Sequence, residues 1–208
     1  MKLFYAPGAC SLGIHLLLEE IGKPYEIARV DLASGAQYQP EYLKVNPKSK
    51  VPALLRDDGS IVTEYPAIAT WLAKSNPEKN LIPANLEDEV RMIELMEYIV
   101  STLHMQAFGR IFRPAKFCEN EAEHAAIRET GKAMIAKGLD YISEILGERE
   151  FLVGNSLTLA DSALLYLLFW IVDRVGLEAP GNLKAYYERL KARPTVKKVF
   201  ADEGINVA

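Results

Sequence analysis

The chain opens on an apolar run, Lys2-Leu3-Phe4-Tyr5-Ala6, broken at once by Pro7-Gly8. This predicts a short strand over 2–6 followed by a turn. From Ser11 to Ile21 the leucines and isoleucines recur at helical spacing and Gly22 follows, so a helix over 11–21 with a glycine stop is expected. Tyr25 to Val30 alternates apolar and polar and reads as a second strand. A short helical turn comes next. Leu54-Leu55-Arg56 and Ile61-Val62 flank Asp57-Asp58-Gly59-Ser60, the pattern of a hairpin. Thr63 is placed to cap a helix from Glu64 to Lys74, with Pro66 in the first turn, where its missing N–H costs nothing. The order is β-α-β, a helical turn, then β-β-α.

The pattern changes near residue 76. Ser75-Asn76-Pro77-Glu78-Lys79-Asn80 has the composition of a linker, and Pro83 follows. Beyond it every periodic segment is helical. Asn85 with Asp88 starts a long helix from Leu86 to about Ile111, ending near Pro114. Asn120 with Glu123 starts another that runs to about Leu146. Thr158-Leu159-Ala160-Asp161 forms a capping box ahead of an apolar helix reaching Val175. Two shorter helices follow, one before Pro194 and one after it. The expected division is an α/β domain over 1–76, a linker over 77–85 and an all-α domain over 86–208.

Composition narrows the partners. Half of the 208 residues are hydrophobic, enough for a sizeable core, and the formal net charge is −4 with no basic run, which argues against nucleic acid. The longest apolar stretch, Ala163 to Val172, is too short to span a bilayer, so no membrane partner is expected. Pro7-Gly8 interrupts the start too early for a signal-peptide core. The two cysteines, Cys10 and Cys118, cannot build a disulfide framework, which fits a reducing cytoplasm. His15, His104 and His124 show no metal-binding pattern, and no metal is expected.

Cys10 carries the chemistry. It stands between a strand and a helix start, where free N–H groups and the helix dipole favour a thiolate. The competing reading is a small buried hydrophobe. Gly13, not a second cysteine, stands three residues on. A lone reactive thiol needs an outside thiol to complete a redox cycle, which points to glutathione or a similar molecule. Glu97, Ser101, His104 and Phe108 are spaced 4, 3 and 4 and share one helix face, which could wall a cleft opposite Cys10. His15, on the first helix, and His124, among surface charges, read as structural.

Together these segments resemble the glutathione S-transferases, most closely the bacterial cysteine-type (beta) class. The resemblance covers essentially the whole chain. It rests on Tyr5-Ala6-Pro7-Gly8-Ala9-Cys10-Ser11-Leu12, on Asn46 to Leu54 as the cis-proline loop, on Thr63 to Ile68 as the γ-glutamyl segment, on Ser101 to His104 with Phe108, and on Thr158 to Asp161. It implies a thioredoxin-like N-terminal domain, an all-α C-terminal domain and a homodimer. It also implies glutathione as co-substrate, with Cys10, His104 and Ser11 as catalytic residues. Glutathione would be held by Lys50, Val51, cis-Pro52, Glu64 and Tyr65, and by Ser101 and Thr102 at the subunit boundary. A small hydrophobic electrophile would sit near Met105, Phe108 and Phe112.

Four positions depart from that pattern. Tyr65 stands where a small residue is usual, so its ring would narrow the γ-glutamyl pocket. Ala33 to Gln37 lacks a loop lysine, leaving Lys50 to meet the glycyl carboxylate. Glu97 replaces a usual asparagine and brings negative charge into the region. Ser162, a polar partner for Leu157, weakens the hydrophobic staple at the cap. Conjugation and thiol–disulfide exchange are the leading activities. The alternatives are a non-catalytic binding module on the same fold, and a dedicated glutathione-dependent dehalogenase or ether-cleaving enzyme.

Overall fold

The structure is a computed structural model and describes residues 1–206; Val207 and Ala208, the last two residues of the expected 86–208 domain, lie outside the described residues. Four short strands form one mixed sheet: β1 (Lys2–Tyr5), β2 (Glu26–Arg29), β3 (Ala53–Leu55) and β4 (Ile61–Thr63), in the order β2-β1-β3-β4. β1 runs parallel to β2 and antiparallel to β3, with Leu3 opposite Ile27 on one side and Leu54 on the other. The parallel pair needs a crossover, and α1 (Ser11–Ile21) supplies it. Gly22 ends α1 in the left-handed conformation, its N–H on the Leu18 carbonyl.

α1 lies between the sheet and the helical half, so it has no solvent face through most of its length. Leu12, Ile14, Leu16 and Leu17 are all fully buried. After β2 the chain makes a single turn at Ala36–Tyr38 and a short helix α2 (Pro40–Leu43). Tyr42 OH and Asn46 Nδ2 both donate to the Lys50 carbonyl, at 2.6 and 2.7 Å, and hold the loop before Pro52.

α3 (Tyr65–Lys74) starts one residue later than expected, and Thr63 does not cap it. Glu64 is the cap residue, at φ 72°, a left-handed conformation that costs a non-glycine side chain energy. Thr63 Oγ1 instead accepts from Lys48 Nζ at 2.8 Å.

The expected long helix is continuous but changes winding. α4 (Leu86–Glu97) passes into a wider π-helical segment, Tyr98–Phe108, and closes as α5 (Gly109–Phe112). Asn85 caps α4 through Oδ1, which accepts the Asp88 N–H at 2.9 Å. A tight turn at Glu121–Glu123 precedes α6 (His124–Leu146), so that helix begins later than its Asn120 start signal. α7 (Leu159–Phe169) is buried on every side and also ends in a π-helical segment, Trp170–Val175. α8 (Gly181–Ala192) and α9 (Pro194–Asp202) complete the chain on either side of Arg193. Among the described residues no helix is long and apolar enough to cross a membrane.

The capping box ahead of α7 is present and reaches further than two residues. Asp161 is fully buried, and its carboxylate accepts from Thr158 N–H at 2.8 Å, Thr158 Oγ1 at 2.7 Å, Leu152 N–H at 2.9 Å and Tyr186 OH at 2.6 Å. Burial pushes this carboxyl up, against the pull of those four donors.

Candidate active site

The turn from β1 to α1 is fastened from both halves of the molecule. Within the turn, Ser11 Oγ accepts the Ala6 N–H at 3.2 Å and donates to the Ala6 carbonyl at 3.3 Å. From the helical half, Glu203 Oε2 accepts the Gly8 N–H at 2.8 Å, and Trp170 Nε1 donates to the Gly8 carbonyl at 2.7 Å. Gly8 has φ +62°, and a Cβ there would come within 2.5 Å of the Phe169 ring, so only glycine fits. Ser11 is therefore not the catalytic hydroxyl read from the sequence. Its one hydrogen is committed to Ala6, and only its backbone N–H faces the Cys10 sulfur.

Cys10 sits where the sequence places it, at the first turn of α1, but buried. Its Sγ donates to the Val51 carbonyl at 3.4 Å. Burial pushes the thiol up to about 12. The N–H groups of Cys10 and Ser11 and the Lys50 charge pull the other way, and burial wins. The thiolate expected from the helix start is thus corrected: Cys10 is a neutral thiol and a hydrogen-bond donor. The Val51–Pro52 bond is cis, as the resemblance implied.

Glu64 is exposed beside this loop, and its carboxylate pairs with Lys48 Nζ at 2.7 Å. Lys48 was not singled out in the sequence; no local pattern links residues 48 and 64. Lys50 is exposed, and its charge acts on both Cys10 and His104.

Tyr65 overturns one expectation. Its ring does not narrow the pocket beside Glu64; it is buried at the junction with α7. Tyr65 OH lies 2.8 Å from Ser162 Oγ, which itself donates to the Leu159 carbonyl at 2.8 Å, so the tyrosine is the donor. Gly13 makes room for it: a Cβ there would fall 2.3 Å from Tyr65 Oη and 2.4 Å from the Ser162 carbonyl oxygen. The two unusual residues, Tyr65 and Ser162, thus account for each other.

The wall opposite is aromatic. His104 and Trp170, one from each π-helical segment, meet edge to face at 4.8 Å. Such segments are frequent at functional sites. His104 Nδ1 lies 3.4 Å from Tyr166 OH. Burial pushes His104 down to about 4, with the Lys50 and Arg113 charges adding to it, so the ring is neutral near pH 7. Tyr166 is fully buried, edge-on to His104 at 5.6 Å. Phe108 is fully buried, stacked on Phe112 at 5.2 Å and edge-on to Trp170 at 5.1 Å. Phe112 and Met105 are 47% and 42% exposed. Ser101 is exposed, its Oγ donating to the Glu97 carbonyl at 2.7 Å, and Thr102 is half-buried.

A buried cysteine at a strand-to-helix turn, a cis-proline loop beneath its sulfur and a helical wall bearing a histidine agree with the family matches. Residues 8–75 match the family model described as glutathione S-transferase, N-terminal domain, and residues 109–203 match the C-terminal domain of the same family. The chain belongs to the glutathione S-transferase family.

Relatives of this transferase agree along its whole length. It is 37% identical over 208 residues to the glutathione S-transferase GstA of Escherichia coli, covering 99% of this chain and all of the relative. A glutathione transferase homologue from Sulfitobacter, solved with bound glutathione, superposes with a TM-score of 0.90 at 29% identity, covering 99% of this chain and 98% of that one. The bacterial beta class transferase of Sphingomonas chungbukensis superposes with a TM-score of 0.84 at 33% identity, covering 99% of this chain and all of that one.

The transferase site also contains residues that sequence reasoning missed. Trp170 and Glu203 come from the helical half and lie more than 150 positions from the turn they support, and Tyr166, also from that half, meets His104. The one available signal was the apolar run around Tyr166 and Trp170, which by itself reads as core.

Proposed function

We propose that this chain is a beta-class, cysteine-type transferase that joins glutathione to small hydrophobic electrophiles. The observation that carries this reading is the contact between Cys10 Sγ and the Val51 carbonyl. It sets the sulfur beside a strand edge that can pair with the cysteinyl backbone of glutathione. The γ-glutamyl carboxylate suits the free N–H groups at Tyr65, the start of α3. Its α-amino group suits Glu64, where it would replace the Lys48 ammonium. Lys50 meets the glycyl carboxylate, and Pro52 shapes the loop between them. Glutathione's own sulfur then lies beside Cys10. The cysteinyl N–H of glutathione takes over the Val51 carbonyl, which frees the neutral Cys10 S–H to turn to that sulfur, and His104 donates from Nε2, so the bound thiolate is favoured. The thiolate attacks the electrophile, which sits against the exposed Met105 and Phe112, while Phe108, expected from the sequence to line this pocket, is buried behind Phe112 and only backs it, and the leaving group departs with the bonding electrons.

Residues 1–76 form the glutathione domain in this reading, 77–85 the linker and 86–208 the substrate domain. A homodimer fits the apolar groove of ≈ 520 Å³ between α3 and α4, lined by Trp71, Ile93 and Met96. Leu86, Val90 and Ile93 are exposed along the same helix. Ser101 and Thr102 would then reach the glutathione held by the partner subunit. A cytoplasmic location follows from two unpaired cysteines in a glutathione-dependent enzyme.

Thiol–disulfide exchange is the second reading, favoured because Cys10 is the one thiol at this turn. Retention on immobilised glutathione, followed by assay with a chlorinated aromatic acceptor and with a glutathione mixed disulfide, tests both. Retention with conjugation is expected. Retention with disulfide reduction alone supports the second reading. Retention without either activity points to a dehalogenase or ether-cleaving enzyme. Failure to bind points to a non-catalytic module on this fold.

A further inference from the structure

A second constellation lies where α9 packs on α1. His15 has a wholly buried side chain, and its Nδ1 is 2.9 Å from Glu203 Oε1. With a carboxylate as acceptor, Nδ1 carries the hydrogen, and in the neutral ring Nε2 keeps the lone pair. That Nε2 has no hydrogen-bond partner among the described residues. It faces Asp202 Oδ2 at 3.9 Å, and one ligand atom each from His15, Glu19 and Asp202 lie within 4.8 Å of one another. A wholly buried ring nitrogen without a hydrogen-bond partner thus lies beside the Asp202 carboxylate, with Glu19 close by.

The two carboxylates face an open cleft, and His15 lies buried behind them. Glu19 and Asp202 stand on the wall of a cleft of ≈ 350 Å³ together with Lys23, Tyr25 and Lys198. Tyr25 OH donates to Glu19. The Lys198 ammonium bridges the two carboxylates, 3.0 Å from Glu19 and 2.6 Å from Asp202. The pair therefore attracts a cation already, but that ammonium makes no bond to His15 Nε2.

We propose that His15 Nε2, Glu19 and Asp202 bind a zinc-class dication, with Glu203 orienting His15 and Lys198 the ammonium that the ion displaces. The arrangement is a carboxylate–histidine–metal triad. The outer carboxylate fixes the tautomer and raises the basicity of the ligating nitrogen. One imidazole and two carboxylates leave a fourth position for water. Donor atoms on a tetrahedral zinc stand about 3.3 Å apart, so the side chains of Glu19 and Asp202 close in by an ångström or so. His15 and Glu19 are one turn apart on α1, and α9 delivers the third ligand from the far end of the chain. Glu203 also holds the Gly8 N–H, so the ion would tie α9 to α1 and to the turn before Cys10.

The test uses Co²⁺ alone, added to the full-length protein and followed by visible absorption, calorimetry and thermal unfolding. One equivalent should bind, with ligand-field bands but no thiolate charge-transfer band, and the melting temperature should rise. Asp202→Asn should weaken binding by about tenfold or more. Lys198→Met should tighten it by roughly twofold to fivefold, because the competing ammonium is gone. His15→Asn should abolish it; should that buried change prevent folding, the two cleft variants carry the test. Absence of stoichiometric binding would overturn the proposal. So would a thiolate band, binding by Asp202→Asn as tight as wild type, or no tightening in Lys198→Met.

Discussion

Tyr166 OH stands 3.4 Å from His104 Nδ1, and the histidine is neutral. A neutral imidazole has one donor and one acceptor nitrogen. With the tyrosine hydroxyl as donor, Nδ1 accepts and the proton sits on Nε2, the tautomer that the proposed mechanism requires. In the proposed mechanism Tyr166 positions His104 as a donor toward the sulfur site. Tyr166→Phe keeps the ring packing and removes only this bond. A neutral hydrogen bond is worth about 0.5–1.5 kcal/mol, so the melting temperature should fall slightly and conjugation per folded molecule should fall between about twofold and tenfold. An unaltered rate would remove the positioning role.

The same histidine should shape acid stability. Burial lowers His104 in the folded protein from 6.5 to about 4. Between these values the unfolded chain binds a proton that the folded chain refuses, so stability rises with pH across this window. The contribution is fully present above pH 6.5 and is lost as the pH falls toward 4. Thermal unfolding of wild type and His104→Gln from pH 7 to pH 4 should show the steeper decline in wild type. Parallel curves would mean that His104 is not held neutral.

Part of this site was legible along the chain, and the division is physical. The helix start behind Cys10, the cis-proline loop and the Thr158–Asp161 box involve residues three to six apart or a contiguous motif. The thiolate reading of Cys10 failed for the opposite reason. Helix-end N–H groups are local, but the burial that outweighs them comes from packing against the other half of the chain. Lys48 on Glu64, Tyr65 on Ser162 and Glu203 on Gly8 are likewise long-range pairs, and one sequence carries no mark of them.

Asp161 offers a measurement of that long-range part. A helix cap alone is worth about 0.5–2 kcal/mol. Asp161 also satisfies Leu152 N–H and Tyr186 OH in a fully buried setting. Each donor left unpaired costs about 1–3 kcal/mol more. Asp161→Ala should therefore destabilise the protein by about 3 kcal/mol or more in urea unfolding. A loss confined to the cap range would show that the two distant donors find other partners.

Gly13 and Tyr65 form a second stability test. Alanine is the better helix former by about 1 kcal/mol, so in open space Gly13→Ala would stabilise α1. Here the added Cβ meets Tyr65 Oη at 2.3 Å and the Ser162 carbonyl oxygen at 2.4 Å. Gly13→Ala should lower the melting temperature instead, and adding Tyr65→Phe should rescue it only in part, because the carbonyl contact remains. Tyr65→Phe alone should leave glutathione affinity nearly unchanged, since the ring is turned away from Glu64. A stabilised Gly13→Ala protein would contradict this packing.

Which sulfur carries the negative charge decides how this transferase works. Thiolate absorbs in the ultraviolet and a thiol does not, so difference spectra against pH answer the question directly. Without glutathione, wild type should show no thiolate at neutral pH, because Cys10 is pushed up to about 12. With glutathione bound, a thiolate band should appear below the ordinary cysteine value of about 8.5 and should persist in part in Cys10→Ala. A thiolate band at neutral pH in the protein alone, lost in Cys10→Ala, would show instead that Cys10 is itself the activated nucleophile.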